Sequence, residues 1–217
     1  MPSLEQQLAD GIKQQSLHIT EEQQQKLIQF IALLSKWNKV YNLTSIRDKK
    51  EMVTLHLLDS LIVLPFFDGA KASAIKSVLD VGTGGGIPGI PLAICLPNIE
   101  FVLLDARAKK IRFIQTAIAQ LGLKNVTAIH ARVEDYNGPE GKKFDRIISR
   151  AFASLEDMLN YCQHVCQPDG RFLAMKGQIL EEEIAQLTEG FKIDELNELK
   201  VPGLNAQRHL VQIIFQS

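Results

Sequence analysis

The segment that most restricts the fold runs from Ser77 to Pro91: Ser-Val-Leu-Asp-Val-Gly-Thr-Gly-Gly-Gly-Ile-Pro-Gly-Ile-Pro. It opens as a short apolar run, Ser77–Val81, and then breaks into glycines at 82, 84, 85, 86 and 89 with prolines at 88 and 91. Glycine packs poorly inside a strand and proline cannot donate to a ladder, so the strand stops there. Glycine lets the backbone turn sharply and approach a ligand closely. The next apolar stretch, near 88–96, reads as a helix whose first N–H groups lack intrahelical partners. A strand, a glycine turn and a helix in that order begin a parallel α/β unit.

The rest of the chain repeats that rhythm. Phe101–Asp105 reads as a second strand, with a helix over 107–121 ending at Gly122. Thr127–Ala131, Asp145–Ser149 and Arg171–Met175 continue the strands, and helices are expected over 154–166 and 178–189. Ile193–Val201 and His209–Phe215, joined by the turn VPGLNAQR, read as an antiparallel closing pair. Alternation of strands and helices predicts a doubly wound α/β core, its seven-stranded sheet mostly parallel and its last strand antiparallel. Before residue 76 the pattern is helical: 3–17, 21–37 behind a Thr20 capping box, and 49–64 with Met52, Leu55, Leu58, Leu61 and Ile62 on one face. The expected organisation is an N-terminal helical cap, 1–70, on a core, 71–217, forming a single compact unit.

Composition supports one soluble unit. At roughly 100–200 residues per domain, a chain of 217 residues needs only one. Its hydrophobic fraction of 46% and charged fraction of 23% are those of a globular protein. No apolar run is long enough to span a bilayer, the start is polar, and three cysteines suit a reducing compartment. These features predict a cytoplasmic monomer with no stable protein partner and no membrane association. A net charge of −1 excludes binding to nucleic acid by bulk electrostatics alone. It leaves room for a local basic face, for which Arg47–Lys50, Arg107–Arg112, Lys142, Lys143 and Arg146 are candidates; each cluster also reads as a solvated helix end or turn.

In a parallel sheet the ligand crevice lies beyond the carboxyl ends of the strands. Gly84-x-Gly86-x-x-Gly89 matches the dinucleotide pattern literally, but it begins late, after Asp80-x-Gly82-x-Gly84. The Asp80 carboxylate stands where a pyrophosphate would have to sit, and it suits a ligand with a positive amino or sulfonium group. Asp105 ends the second strand, near the usual spacing for a carboxylate that accepts ribose hydroxyls. Two carboxylates about a glycine turn point to S-adenosylmethionine rather than NAD. Val133 and Glu134, after the third strand, can hold an adenine by packing and through its amine. Arg150, after the fourth, would bring a permanent positive charge to the crevice, unless a local carboxylate pairs with it. Lys176 ends the fifth strand at the same rim. Cys162-x-His164-x-Cys166 is read as core packing, with no metal site, because a helix would put the cysteines on one face and His164 elsewhere. His56 and Asp59 read as a local hydrogen bond, and Trp37, Tyr41 and Asn42 as core or as a stacking platform.

Taken together, Trp37–Thr44, His56–Leu61, Asp80–Pro91, Leu104–Asp105, Arg132–Glu134, Ser149–Ser154 and Lys176–Gly177 resemble the bacterial glucose-inhibited division protein B family, the small-subunit ribosomal RNA guanine-N7 methyltransferases. The resemblance runs over nearly the whole chain. It implies a Rossmann-like class I S-adenosylmethionine-dependent methyltransferase acting on N7 of a guanine in 16S ribosomal RNA, free or in the small subunit. It further implies cofactor contacts at Gly82, Ile87, Val133, Glu134 and Arg150, beside the Asp80, Gly84 and Asp105 already singled out. Arg150 and Lys176 are the candidates for holding O6 or a phosphate of the acceptor. The family loop often has Ala or Pro at Gly85 and Phe or Leu at Ile87, and often Ser at Ala106, so a hydroxyl contact at 106 does not carry over. Two rival readings use the same residues: a small-molecule or protein methyltransferase, which needs no basic rim, and a nucleotide-binding module without catalysis.

Overall fold

The structure, a computed structural model, describes residues 2–67, 75–179 and 181–216. Its strands are β1 (Ser77–Val81), β2 (Glu100–Asp105), β3 (Val126–His130), β4 (Phe144–Ser149), β5 (Cys166–Lys176), β6 (Phe191–Leu199) and β7 (Arg208–Phe215). They form one seven-stranded sheet in the order β3-β2-β1-β4-β5-β7-β6. The pairs among β1 to β5 are parallel. β7 runs antiparallel to both β5 and β6 and lies between them. This is the fold expected from the alternating pattern. The order reverses at β1, so the glycine turn that leaves β1 sits at the switch point.

Period-two alternation distributes the core over both faces of the sheet. Val78, Phe101, Leu103, Ile148 and Leu173 face one cluster, and Leu79, Val102, Leu104, Ile147 and Phe172 face the other. The first cluster is covered by α1 (Leu4–Gln14), α2 (Glu21–Tyr41), α5 (Gly89–Cys95) and α6 (Ala108–Leu121). The second is covered by α7 (Leu155–Cys162). Leu27, Phe30, Ile31 and Leu34 of α2 are fully buried in the same cluster as the sheet. Burying such side chains stabilises by roughly 1.5–3 kcal/mol each. Trp37 stacks on Tyr41 at 5.1 Å and meets Phe113 of α6 at 5.9 Å, which makes both rings part of the packing. The expected boundary between residues 70 and 71 lies outside the described residues.

α2 begins with the Thr20 capping box, closed by Gln23, and ends at Asn42 in the left-handed conformation. α6 ends at Gly122, also left-handed. The third cap helix differs from its predicted form. It runs as α3 (Lys49–Met52), a π-helical segment Val53–Leu58 and α4 (Asp59–Leu61). A π turn takes an extra residue per turn, so the 3.6-residue face is lost. Val53, His56, Leu57 and Asp59 are buried, while Leu55 and Ile62 are only half-buried. Two further expectations are corrected. The helix predicted over 178–189 is confined to α8 (Glu181–Ala185). The helix predicted over 154–166 ends at Cys162, and Cys166 already opens β5.

Candidate active site

Backbone bonds fix the glycine turn to the neighbouring strand. The N–H groups of Gly82 and Thr83 both donate to the Leu104 carbonyl, at 2.9 and 3.1 Å. Gly84 N–H donates to Asp105 Oδ2 at 2.9 Å. Asp80 is fully buried beneath the turn, where its Oδ2 accepts from the Thr83 hydroxyl at 2.6 Å and from Gly89 N–H at 2.9 Å. It thereby caps α5, whose preceding Pro88 offers no side-chain cap. Asp80 Oδ1 is buried with no hydrogen-bond partner. Burial pushes the carboxyl up to about 7, against the pull of its two hydrogen bonds and of Arg150. Gly82 has φ +68°, and a Cβ there would lie 2.7 Å from that of Ala151. A Cβ on Gly89 would lie 2.6 Å from Asp80 Oδ2 and press on Leu103.

A cavity of about 220 Å³ opens beyond the carboxyl ends of β1 to β4; Gly82, Asp105, Val133, Glu134, Ala151 and Phe152 are among its lining residues. Asp105 is buried, and both its oxygens are engaged: Oδ1 with Arg107 N–H at 2.9 Å, Oδ2 with Gly84 and with Lys110 Nζ at 3.6 Å. Lys110, one of the cations of the Arg107–Arg112 cluster, is thus half-buried against the carboxylate that ends β2. Val133 is buried in the short 3₁₀ turn after β3, and the half-exposed Glu134 lies 3.9 Å from Arg132. Gly84 and Ile87 stand apart from this lining. Gly84 lies beside Lys110, and Ile87 packs into the core shared with the cap.

A second cavity of about 240 Å³ lies beyond β4, β5 and β7, where Asp59, Arg150, Lys176, Arg208 and His209 line it. Ser149 turns the chain into it, its hydroxyl donating to the Val81 carbonyl at 2.7 Å and accepting from Ala151 N–H at 3.0 Å. Arg150 pairs with Asp59 at 3.1 Å, so the salt-bridge alternative holds, but its partner comes from the cap. Lys176 donates to the Ala153 carbonyl and pairs with Glu183 at 2.8 Å; it is mostly buried. The expected bond between His56 and Asp59 is absent. His56 Nδ1–H donates to the Leu55 carbonyl and Nε2 accepts from the Thr44 hydroxyl, while Asp59 binds Arg150 and Arg208. Burial, aided by the positive Arg150, holds His56 down to about 4. Sequence reading passed over Arg208 entirely. A polar residue at the mouth of the last strand was the available signal, but nothing local tied it to Asp59. Cys162 and Cys166 are both buried, at a helix end and a strand start rather than on one helix face, and His164 bonds the Tyr136 carbonyl. Among the described residues no cluster could hold a metal ion.

An open sheet with its order reversed at β1, a buried acidic residue under a glycine turn and a carboxylate ending β2 define the class I methyltransferase fold. Solved structures agree: a ribosomal-protein methylase of Lactobacillus delbrueckii superposes with a TM-score of 0.54 at 17% identity, covering 74% of this chain and 77% of that one. TrmN of Thermus thermophilus gives 0.54 at 16% identity, covering 76% of this chain and 53% of that one. Within that class, residues 23–211 match the model of the rRNA small subunit methyltransferase G family, and the chain belongs to it. Proteins named ribosomal RNA small subunit methyltransferase G are similar over nearly their full length. That of Pasteurella multocida is 50% identical, covering 97% of this chain and 99% of its own. That of Shewanella amazonensis is 48% identical, covering 97% and 98%.

Proposed function

We propose that this chain transfers a methyl group from S-adenosylmethionine to N7 of a guanine in 16S ribosomal RNA, and that the 220 Å³ cavity holds the nucleoside half of the cofactor. Family membership supports the reaction and the acceptor class. The observation that carries the site is Asp80: a buried carboxylate oxygen without a partner, beneath a turn that leaves no room for a side chain at Gly82 or Gly89. A ligand amino group is a natural partner for such an atom. Asp80, Gly82 and Gly84 would face the amino-acid portion, Asp105 the ribose, and Val133 and Glu134 the adenine. Ile87 would act from behind the turn, by packing. Arg150 and Lys176 would stand on the acceptor side.

When bound, the cofactor supplies an electrophilic methyl on a sulfonium. Guanine N7 carries a lone pair and no proton, so the chain needs no general base. Its work is to hold the two reactants in line, which can be worth roughly 7–11 kcal/mol. Paired RNA hides its major groove, so the target base must be unpaired or flipped to reach the site. Every residue named above lies on one chain, and the proposal is of a monomer working in the cytoplasm, where its acceptor is. Among the described residues no helix is long and apolar enough to cross a membrane. Nucleoside mass mapping of small-subunit RNA from cells with and without the chain tests the reading: one 7-methylguanosine should disappear with it. An unchanged map would overturn the acceptor assignment.

A further inference from the structure

Beside Arg150 and Lys176, the second cavity holds a third cation, Arg208, and a buried carboxylate, Asp59, that the methyl-transfer reading does not use. Three neighbouring strands each bring a cation to the same edge of the sheet: Arg150 follows β4, Lys176 ends β5 and Arg208 begins β7. Arg208 reaches this edge because β7 runs antiparallel, with His209 beside Lys176 in the register. One carboxylate serves both arginines. Asp59 Oδ2 meets Arg150 at 3.1 Å, and Oδ1 meets Arg208 Nε at 2.7 Å. The Asp59 side chain is 2% exposed, whereas Arg150 and Arg208 keep 26% and 24% of theirs open. The π segment sets up this arrangement: it buries Asp59 and offers the Leu55 carbonyl to the Arg150 guanidinium at 3.4 Å. With Glu183 on Lys176, three cations share two carboxylates, and the space between them is positive.

We propose that Asp59 is a positioning residue that holds Arg150 and Arg208 as a clamp for a backbone phosphate of the acceptor RNA. The inference rests on the reading given above and names how that site takes its acceptor. A guanidinium presents five N–H donors in a fixed fork and grips phosphate through two at once. Arg208 has two accounted for, on Asp59 and on the Gln207 carbonyl, so donors remain for a second acceptor. The aromatic residues that could stack a base, Phe152 and Tyr161, line the other cavity. The second cavity is therefore suited to a phosphate, and the target base goes to the cofactor side.

The test uses the full chain with small-subunit ribosomal RNA and small ribosomal subunits, titrated from 50 to 200 mM salt, with S-adenosylhomocysteine calorimetry alongside. Each phosphate contact contributes about 0.7–0.9 to the slope of log affinity against log salt. Arg208→Gln should lower acceptor affinity about ten-fold, reduce that slope by about this amount, and leave S-adenosylhomocysteine affinity within two-fold. Arg208→Lys should keep the slope and recover only part of the affinity, since the fork is lost. Asp59→Asn should raise KM for the acceptor with the slope unchanged, because both cations remain but are no longer aligned. If Asp59→Asn does not fold, the Arg208 variants carry the test alone. An unchanged slope in Arg208→Gln overturns the clamp and leaves the methyltransferase reading standing. A parent chain that methylates neither form of the acceptor overturns that reading instead.

Discussion

Asp80 and His56 are buried titratable groups with opposite consequences for stability. His56 is held at about 4, below its ordinary 6.5, so under acid conditions the unfolded chain binds a proton that the folded chain refuses. Its contribution is complete above pH 6.5 and is lost as pH falls towards 4, in all about 3 kcal/mol. Asp80, raised from 3.8 to about 7, works the other way: its contribution is complete below pH 4 and is lost as pH rises through 7. The two oppose each other between pH 4 and 6.5 and nearly cancel in the parent, so denaturant titrations of His56→Asn should show stability rising as pH falls from 6.5 to 4, where the parent stays nearly level. Ionised Asp80 favours a cationic ligand. S-adenosylhomocysteine affinity should therefore rise between pH 6 and 8 in the parent and stay flat in Asp80→Asn, as calorimetry at three pH values can read. Asp105 both accepts from the turn and faces the cavity, so Asp105→Ala mixes two losses. Asp105→Asn keeps the shape. If the carboxylate binds the ribose, two bonds at roughly 1.5–3 kcal/mol each are weakened, and affinity should fall ten-fold or more with a small change in Tm. Unaltered affinity would remove Asp105 from the ligand.

At the scale of elements, the glycine turn and the π segment are shaped by what they adjoin. The turn is tight at two positions: Gly82 is left-handed and closes on Ala151, and Gly89 closes on Asp80. A side chain in the left-handed region costs about 1–2 kcal/mol. Gly82→Ala should therefore lower stability by that amount while keeping the far-UV circular dichroism of the parent, and should lose most cofactor affinity because Ala151 must yield. A variant that binds normally would place the ligand away from β1. The π segment explains why periodicity failed in the cap. Met52 and Leu58 keep their expected burial, but the added residue turns Asp59 inward and leaves Leu55 and Ile62 half-buried.

Across the whole molecule, one apolar cluster joins cap and sheet, from Leu8 and Phe30 to Val78 and Leu210. Cap and core should accordingly melt in a single calorimetric transition whose van't Hoff and calorimetric enthalpies agree. Charge is also organised at this scale. With a net charge of −1, RNA must be met by a small basic face. Two to four phosphate contacts imply a salt slope of only about −1.4 to −3.6. Lys109 is exposed on α6, whereas Lys110 supports Asp105. Lys109→Glu should weaken RNA binding and spare S-adenosylhomocysteine, and Lys110→Glu should weaken both. RNA binding by Lys109→Glu that matches the parent at both 50 and 200 mM salt would move the RNA face elsewhere.

Much of this protein was legible in its order of residues because the controlling interactions are local. Strand alternation, the capping box at Thr20, the stop at Gly122 and the glycine turn each depend on residues a few positions apart. So did the choice of Asp80 and Asp105, which follows from where strands end. Tertiary structure alone decided the rest. The π turn changes the face of a helix without any residue that announces it. β7 enters between β5 and β6 by pairing over long range, and its reversed direction brings Arg208 to the carboxyl edge. The Asp59 carboxylate meets partners 91 and 149 positions away in the chain, and it is buried only because the cap closes over the sheet. A buried charge needs opposite charges beside it, and which ones arrive is settled by packing and not by spacing.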